Sequence, residues 1–252
     1  MFNPTTAQFL AWFLGEPDDP LTADVVNITA LAAGMTYPLT IRHQLEGGTA
    51  PQNKQGVDCY CVGLTMKMEK DTQFLVEPVW AWGALEDIGD NVNITTNPVA
   101  PGALLTGAYN GHPDVLWNAT PMTGVWRADI QCEKKHSKVS SDEGATQTIH
   151  TGKIQPVRII LSAVLKQNTS WDDYVGRNAR TMTITVKKMD DTSYIKLTFT
   201  NAKVVSVKET GHRNEAHHGA VMALVAEKVE GESDWFTEGG TTFGDHWKAV
   251  LA

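Results

Sequence analysis

The chain has 252 residues, of which 42% are hydrophobic, and a formal net charge of −8; that is apolar material enough for one large or two modest all-β domains that fold without staples. The acid excess excludes a basic face able to grip nucleic acid by counterion release. No apolar run approaches the roughly 20 residues of a membrane span, and Met1-Phe2-Asn3-Pro4 does not open a secretory leader, so the expectation is synthesis in a cytoplasm with no membrane partner.

Residues 5–14, "TTAQFLAWFL", follow Asn3-Pro4 and stop at Gly15, which predicts a short buried helix. "GEPDDPLTAD" then reads as a loop. From Tyr37 the period becomes two, with Leu39, Ile41, His43 and Leu45 alternating against Thr40, Arg42 and Gln44, the pattern of a half-buried strand. "EGGTAPQNKQG" reads as the following turn or loop. A hairpin comes next, with Leu64, Met66 and Met68 on one face and Thr65, Lys67 and Glu69 on the other.

Residues 86–114 are rich in Gly, Pro, Asn and Asp and contain the best candidate boundary, which divides the chain into units at 1–100 and 101–252. Val125, Ala128, Ile130 and Cys132 lead into a strand that is expected to dissolve in the charged segment "EKKHSKVSSDEGATQ", an exposed mobile loop within residues 133–150. "VRIILSAVL" is apolar on both faces and predicts a central strand covered on each side. "TSWDDYVGRNAR" begins as a helix should. A second hairpin follows, with Met182, Ile184 and Val186 matched by Ile195, Leu197 and Phe199; "AKVVSV" extends it and "AVMALVAEKV" offers a last strand.

"LTMKMEKDTQFLV" and "MTITVKKMDDTSYIKL" are thus the same hairpin written twice, each with a charged Asp-Thr break. A degenerate duplication, with the second copy more complete, explains both. Solvent-facing positions of these hairpins, Lys67, Glu69, Thr183, Thr185 and Lys187, are candidates for a surface or tunnel lining.

Catalytic signatures do not emerge: there is no Gly-x-Ser-x-Gly, His-Glu-x-x-His or phosphate-cradling glycine loop. Cys59 and Cys61 lie two apart on one strand face with only the distant Cys132 for company, a pattern of packing thiols and not of zinc or a disulfide. His212, His217 and His218 cluster around Glu215, but the adjacent pair points in opposite directions when extended, so a loop surface outweighs a metal site. Sequons at Asn27, Asn93, Asn118 and Asn168 carry little meaning without a leader. Trp80, Trp82, Trp117, Trp126 and Trp171 could stack on sugar rings, though core or interface packing describes them equally. Trp235, Phe236 and Trp247 near the C-terminus are candidates for an arm that docks on a neighbouring chain.

The stretches "GVWRADIQCEKKHS", "IHTGKIQPVRIILSAV" and "SWDDYVGRNARTMTITVKKMDDTSYIKLTFTNAKVVSV", with "YPLTIRHQ" and "GVDCYCVGLTMKMEKDTQFLVEPVWA" in the first half, resemble in element order the tail tube (major tail) proteins of long-tailed bacterial or archaeal viruses, in the tandem two-domain version. The resemblance implies an all-β fold with short helices: two related β-sandwich or partial-barrel domains that join edge to edge into a ring lining a tunnel. Rings of three chains with pseudo-sixfold symmetry would stack, with Lys138, Ser140, Asp142, Glu143 and Gln147 of the long loop reaching the next ring. The implied partners are further copies of the chain, tape-measure protein and viral DNA in the lumen without sequence-specific binding, and tail terminator and baseplate proteins; the implied location is the virion tail, with no cofactor. An acidic wall would keep passing phosphates from sticking. Other virion β-sandwiches, such as a tail terminator or baseplate hub, and a carbohydrate-binding module are the alternatives.

Overall fold

The computed structural model describes residues 8–14, 26–28, 39–45, 52–69, 72, 74–87, 105–106, 114–122, 124–140, 147–164, 173, 176–188, 194–210 and 219–233. The described chain is mostly antiparallel β-structure with one short helix, α1 (Gln8–Leu14), in the place the apolar N-terminal segment predicts. The strands are β1 (Val26–Ile28), β2 (Leu39–Leu45), β3 (Gln52–Glu69), β4 (Leu75–Ala81), β5 (Ala84–Asp87), β6 (Leu105–Thr106), β7 (Asp114–Trp117), β8 (Thr120–Pro121), β9 (Val125–Ser140), β10 (Gln147–Ile154), β11 (Val157–Val164), β12 (Arg180–Lys188), β13 (Tyr194–Thr210), β14 (Gly219–Ala226) and β15 (Lys228–Ser233).

Two long strands organise this network because each changes partners part-way. The first part of β3 pairs with β2 and β5, and its second part with β4 and β9. Likewise β13 pairs first with β12 and β15, then with β14. The change falls at Asp58 (φ 51°) and Asn201 (φ 53°). Asp and Asn tolerate this left-handed backbone better than other residues with a Cβ, and a residue so placed bends a strand out of its sheet. At the second corner the Asn201 amide donates to Glu227 Oε2 (2.7 Å) and the Glu227 N–H to the Thr200 carbonyl (3.1 Å), tying the β14–β15 crossing to that of β13.

The first layer is therefore β4-β3-β9-β11-β14-β13, every adjacent pair antiparallel. The second layer is built around β12, β13, β15 and β1, with β7 and β6 beside β12. Between them lies one apolar cluster. Leu64, Met66 and Met68, Ile130 and Cys132, Ile159 and Leu161, and Met222 and Leu224 come from the first layer; Met182, Ile184, Val186, Ile195, Leu197 and Phe199 come from the second; Phe9, Leu10, Phe13 and Leu14 come from α1. Both hairpins thus bury the faces their alternation predicts.

The expected division at 100/101 falls outside the described residues; on either side of it, β3 pairs with β9 and the cluster takes side chains from both halves.

Three expectations are corrected. Residues 52–56, read as a turn, begin β3. The charged segment after Cys132 is not a loop over its described residues: β9 runs on to Ser140 and pairs with β10 in a two-stranded arm, and residues 141–146 lie outside the described residues. Its side chains from Lys135 to Val139 are exposed on both faces, so no alternation marks it, and backbone pairing carries the ladder. Finally, β11 is not covered on both faces along its whole length, since Arg158 and Ile160 are exposed, although Ser162 further along the same face is buried. Its apolar run reflects an open layer face that is itself partly apolar.

Candidate functional site

The feature with most consequence is the pair of borders of the first layer. Among the described residues, β4 pairs only with β3, and the Lys203–Thr210 half of β13 pairs only with β14. Each therefore offers a row of backbone groups without a ladder partner, the feature that templates pairing with another chain. Apolar side chains mark both: Val79 is 52% exposed and Val205 54%. Ile160 (39%), between the two borders, adds to the same open face.

Charge on that face follows from register. Glu77 stands opposite Thr65, which lies beside Gln131; Arg158 follows, then Val225 and Lys203. The next row holds Lys67, Asp129 and Ile160, and the one after it Glu69, Arg127, Ser162, Val221 and Lys208. Arg127 Nη2 lies 2.8 Å from Asp129 Oδ2, and this hydrogen-bonded partner raises the guanidinium pKa. On these three rows five bases, Arg127, Arg158, Lys67, Lys203 and Lys208, stand against three acids, Glu69, Glu77 and Asp129, so the acidic excess of the chain does not lie here. The β4 border itself carries Glu77, whereas the β13 border presents Lys203 and Lys208 on the same face.

Lys67 and Glu69 lie on this open face; Thr183, Thr185 and Lys187 point away from the core on the second layer. The two sets therefore occupy different layers. Of the expected inter-ring residues, Lys138 and Ser140 are in β9 and Gln147 in β10, with Gln147 directly opposite Ser140; Asp142 and Glu143 lie outside the described residues. The arm is held against the first layer near its described end: Ile149, paired with Lys138 two pairs short of Gln147 and Ser140, packs on Val62 and Ala81, with Tyr60 alongside, and Lys138 Nζ sits 5.1 Å above the Trp82 ring. Trp235, Phe236, Trp247, Trp171 and the histidine cluster at 211–218 lie outside the described residues. Trp117 is buried and Trp80 packs against Trp12 with ring centroids 5.6 Å apart, which leaves no described row of exposed tryptophans for a sugar.

Two buried polar arrangements escape sequence reading. Asp173 accepts from Trp117 Nε1 (2.7 Å), from Arg180 Nη2 (2.8 Å) and from Asn178 Nδ2 (3.2 Å), and its carbonyl accepts from the Asn178 N–H (2.9 Å). The hydrogen bond from Arg180, with those from Trp117 and Asn178, lowers the carboxyl pKa. Lys134, 4% exposed, holds its Nζ 4.8 Å over the Phe13 ring with no hydrogen-bond partner among the described residues. Burial brings its pKa down to about 8, and burial pushes the Cys61 and Cys132 thiols up to about 12. Among the described residues no group of three His, Cys, Asp or Glu could hold a metal.

No protein-family model matches the chain, and no curated protein does. Similar solved structures include a chain of the sheath–tube complex of an extracellular contractile injection system (PVC) in its extended state, 13% identical, covering 48% of this chain and 87% of that one at a TM-score of 0.37. A chain of the virion of a native gene transfer agent particle is 13% identical, with 47% and 94% covered and a TM-score of 0.37. Hcp1 from Flavobacterium johnsoniae is 18% identical, with 52% and 98% covered and a TM-score of 0.32. Each likeness takes in about half of this chain.

Proposed function

We propose that this protein is structural, not catalytic: copies of it join through the two open borders of the first layer into rings that stack as the hollow tube of a viral tail. The observation that carries the reading is directional. All neighbours in the six-strand layer are antiparallel, so its border strands β4 and β13 run in opposite senses. Copies related by rotation about an axis therefore meet with β13 antiparallel to the next β4, and the alternation continues without a break around a closed ring. Ring closure removes both exposed borders at once.

The element-order resemblance supplies the setting: two related units per chain, rings of three chains, tape-measure protein and DNA within, terminator and baseplate proteins at the ends. The arm formed by β9 and β10 is the element that reaches from ring to ring, since the side chains of Lys135–Val139 are exposed and the ladder continues past its contact at Ile149 to Ser140 and Gln147. Negative-stain microscopy of concentrated protein is expected to reveal stacked hollow rings. Removal of residues 137–147 is expected to leave a folded protein that makes no tubes; normal tubes from that variant would refute the arm's role, and a wild-type protein that stays monomeric at every concentration would refute the assembly.

A further inference from the structure

Resting on that assembly reading, we infer that Pro78 makes the β4 border selective: it disfavours pairing between two β4 strands and reserves the border for β13 of the next copy. An antiparallel border has a hazard the ring must avoid. A two-fold β4–β4 contact is antiparallel as well, and a closed dimer formed that way would consume the border without building a ring.

Pro78 sits in the middle of β4, opposite Leu64 of β3. Proline has no N–H to give, so it fits a ladder only where its nitrogen faces away from the paired strand. The nitrogen of Pro78 therefore faces the open side, and by the alternation of a strand the peptide groups of Val76 and Trp80 face that way too. A two-fold contact centred on β4 sets the two prolines against each other, and both central N–H donors are missing. A β4–β13 contact lacks only one, because Lys203–Thr210 contains no proline.

Side-chain charge works in the same direction. Two β4 strands in two-fold contact bring their Glu77 carboxylates onto neighbouring positions, where like charges repel. A β13 border brings Lys203 and Lys208 to the face on which Glu77 stands. Both terms, backbone and charge, favour the head-to-tail contact over the two-fold one.

Short bis-maleimide crosslinking tests this directly, because Cys59, Cys61 and Cys132 are all buried in the described structure. In concentrated protein, Val79→Cys together with Val205→Cys is expected to give a ladder of crosslinked species, and Val79→Cys alone none. Adding Pro78→Val to Val79→Cys is expected to produce crosslinked dimers and to deplete rings seen in the microscope. Dimers from Val79→Cys alone would overturn the inference, as would a Pro78→Val protein that forms rings and no dimers. If wild-type protein forms rings yet the double-cysteine protein gives no ladder, the strand pairing assigned here is wrong while the tube reading stands. If wild-type protein forms no rings, the tube reading itself fails and takes this inference with it.

Discussion

Asp173 and Lys134 illustrate opposite ways of burying a charge. Asp173 is surrounded by donors, from an indole, an amide and a guanidinium, so its carboxylate is satisfied and its pKa falls. Because the folded-state pKa lies below the ordinary 3.8, this group's stabilisation is complete at neutral pH and is lost as pH falls through the folded value. Asp173→Asn is therefore expected to flatten the acid limb of a stability-versus-pH curve below about pH 4. Trp117→Phe, which removes one buried donor to that carboxylate, should cost about 1.5–3 kcal/mol in denaturant unfolding. Lys134 is the reverse case, with its amine over Phe13 and no described hydrogen-bond partner. Its folded pKa of about 8 lies below the ordinary 10.5, so the unfolded chain holds the extra proton between those values and stability rises with pH across that window. Below it the penalty is constant. Lys134→Met should then raise stability at pH 7 by about 1–3 kcal/mol, and the gain should shrink above pH 9 when both proteins are unfolded in parallel.

At the scale of elements, turns and bends decide where strands go. Asn118 (φ 49°) and Ala119 (φ 63°) form the tight connection between β7 and β8, a turn with both central residues left-handed. Alanine is strained there, and Ala119→Gly should stabilise by about 1 kcal/mol, measured as a higher denaturant midpoint at unchanged slope. Strands whose one face meets the core were legible in the sequence: Met182, Ile184 and Val186 alternate because the buried face demands it, and so do Leu64, Met66 and Met68. The arm was not legible, because Lys135–Val139 meet no core on either face and leave no apolar rhythm. The bends at Asp58 and Asn201 were equally silent, since a single Asp or Asn inside a strand pattern is also an ordinary surface residue. Pro78 did carry a readable signal. A proline inside an alternating run demotes it to a border strand, and β4 is one.

For the whole molecule, the chemical question is how an open layer becomes a closed one. The six strands from β4 to β13 pack one face on a core shared with the second layer and α1, and leave both borders, and the other face away from the Ile149 contact, without a described partner. The repeated hairpins suit a chain built from two related units, yet it is the antiparallel order across β3 and β9 that joins the halves into one layer. The most direct measurement is amide hydrogen exchange of dilute and concentrated protein, read strand by strand. The open-side amides of Val76 and Trp80, and those of 203–210 that do not bond β14, are expected to exchange quickly when dilute and to gain strong protection on concentration, while β14 and β11 remain protected throughout. Strong protection of those amides in a protein shown to be monomeric, with no change on concentration, would contradict closure through the two borders.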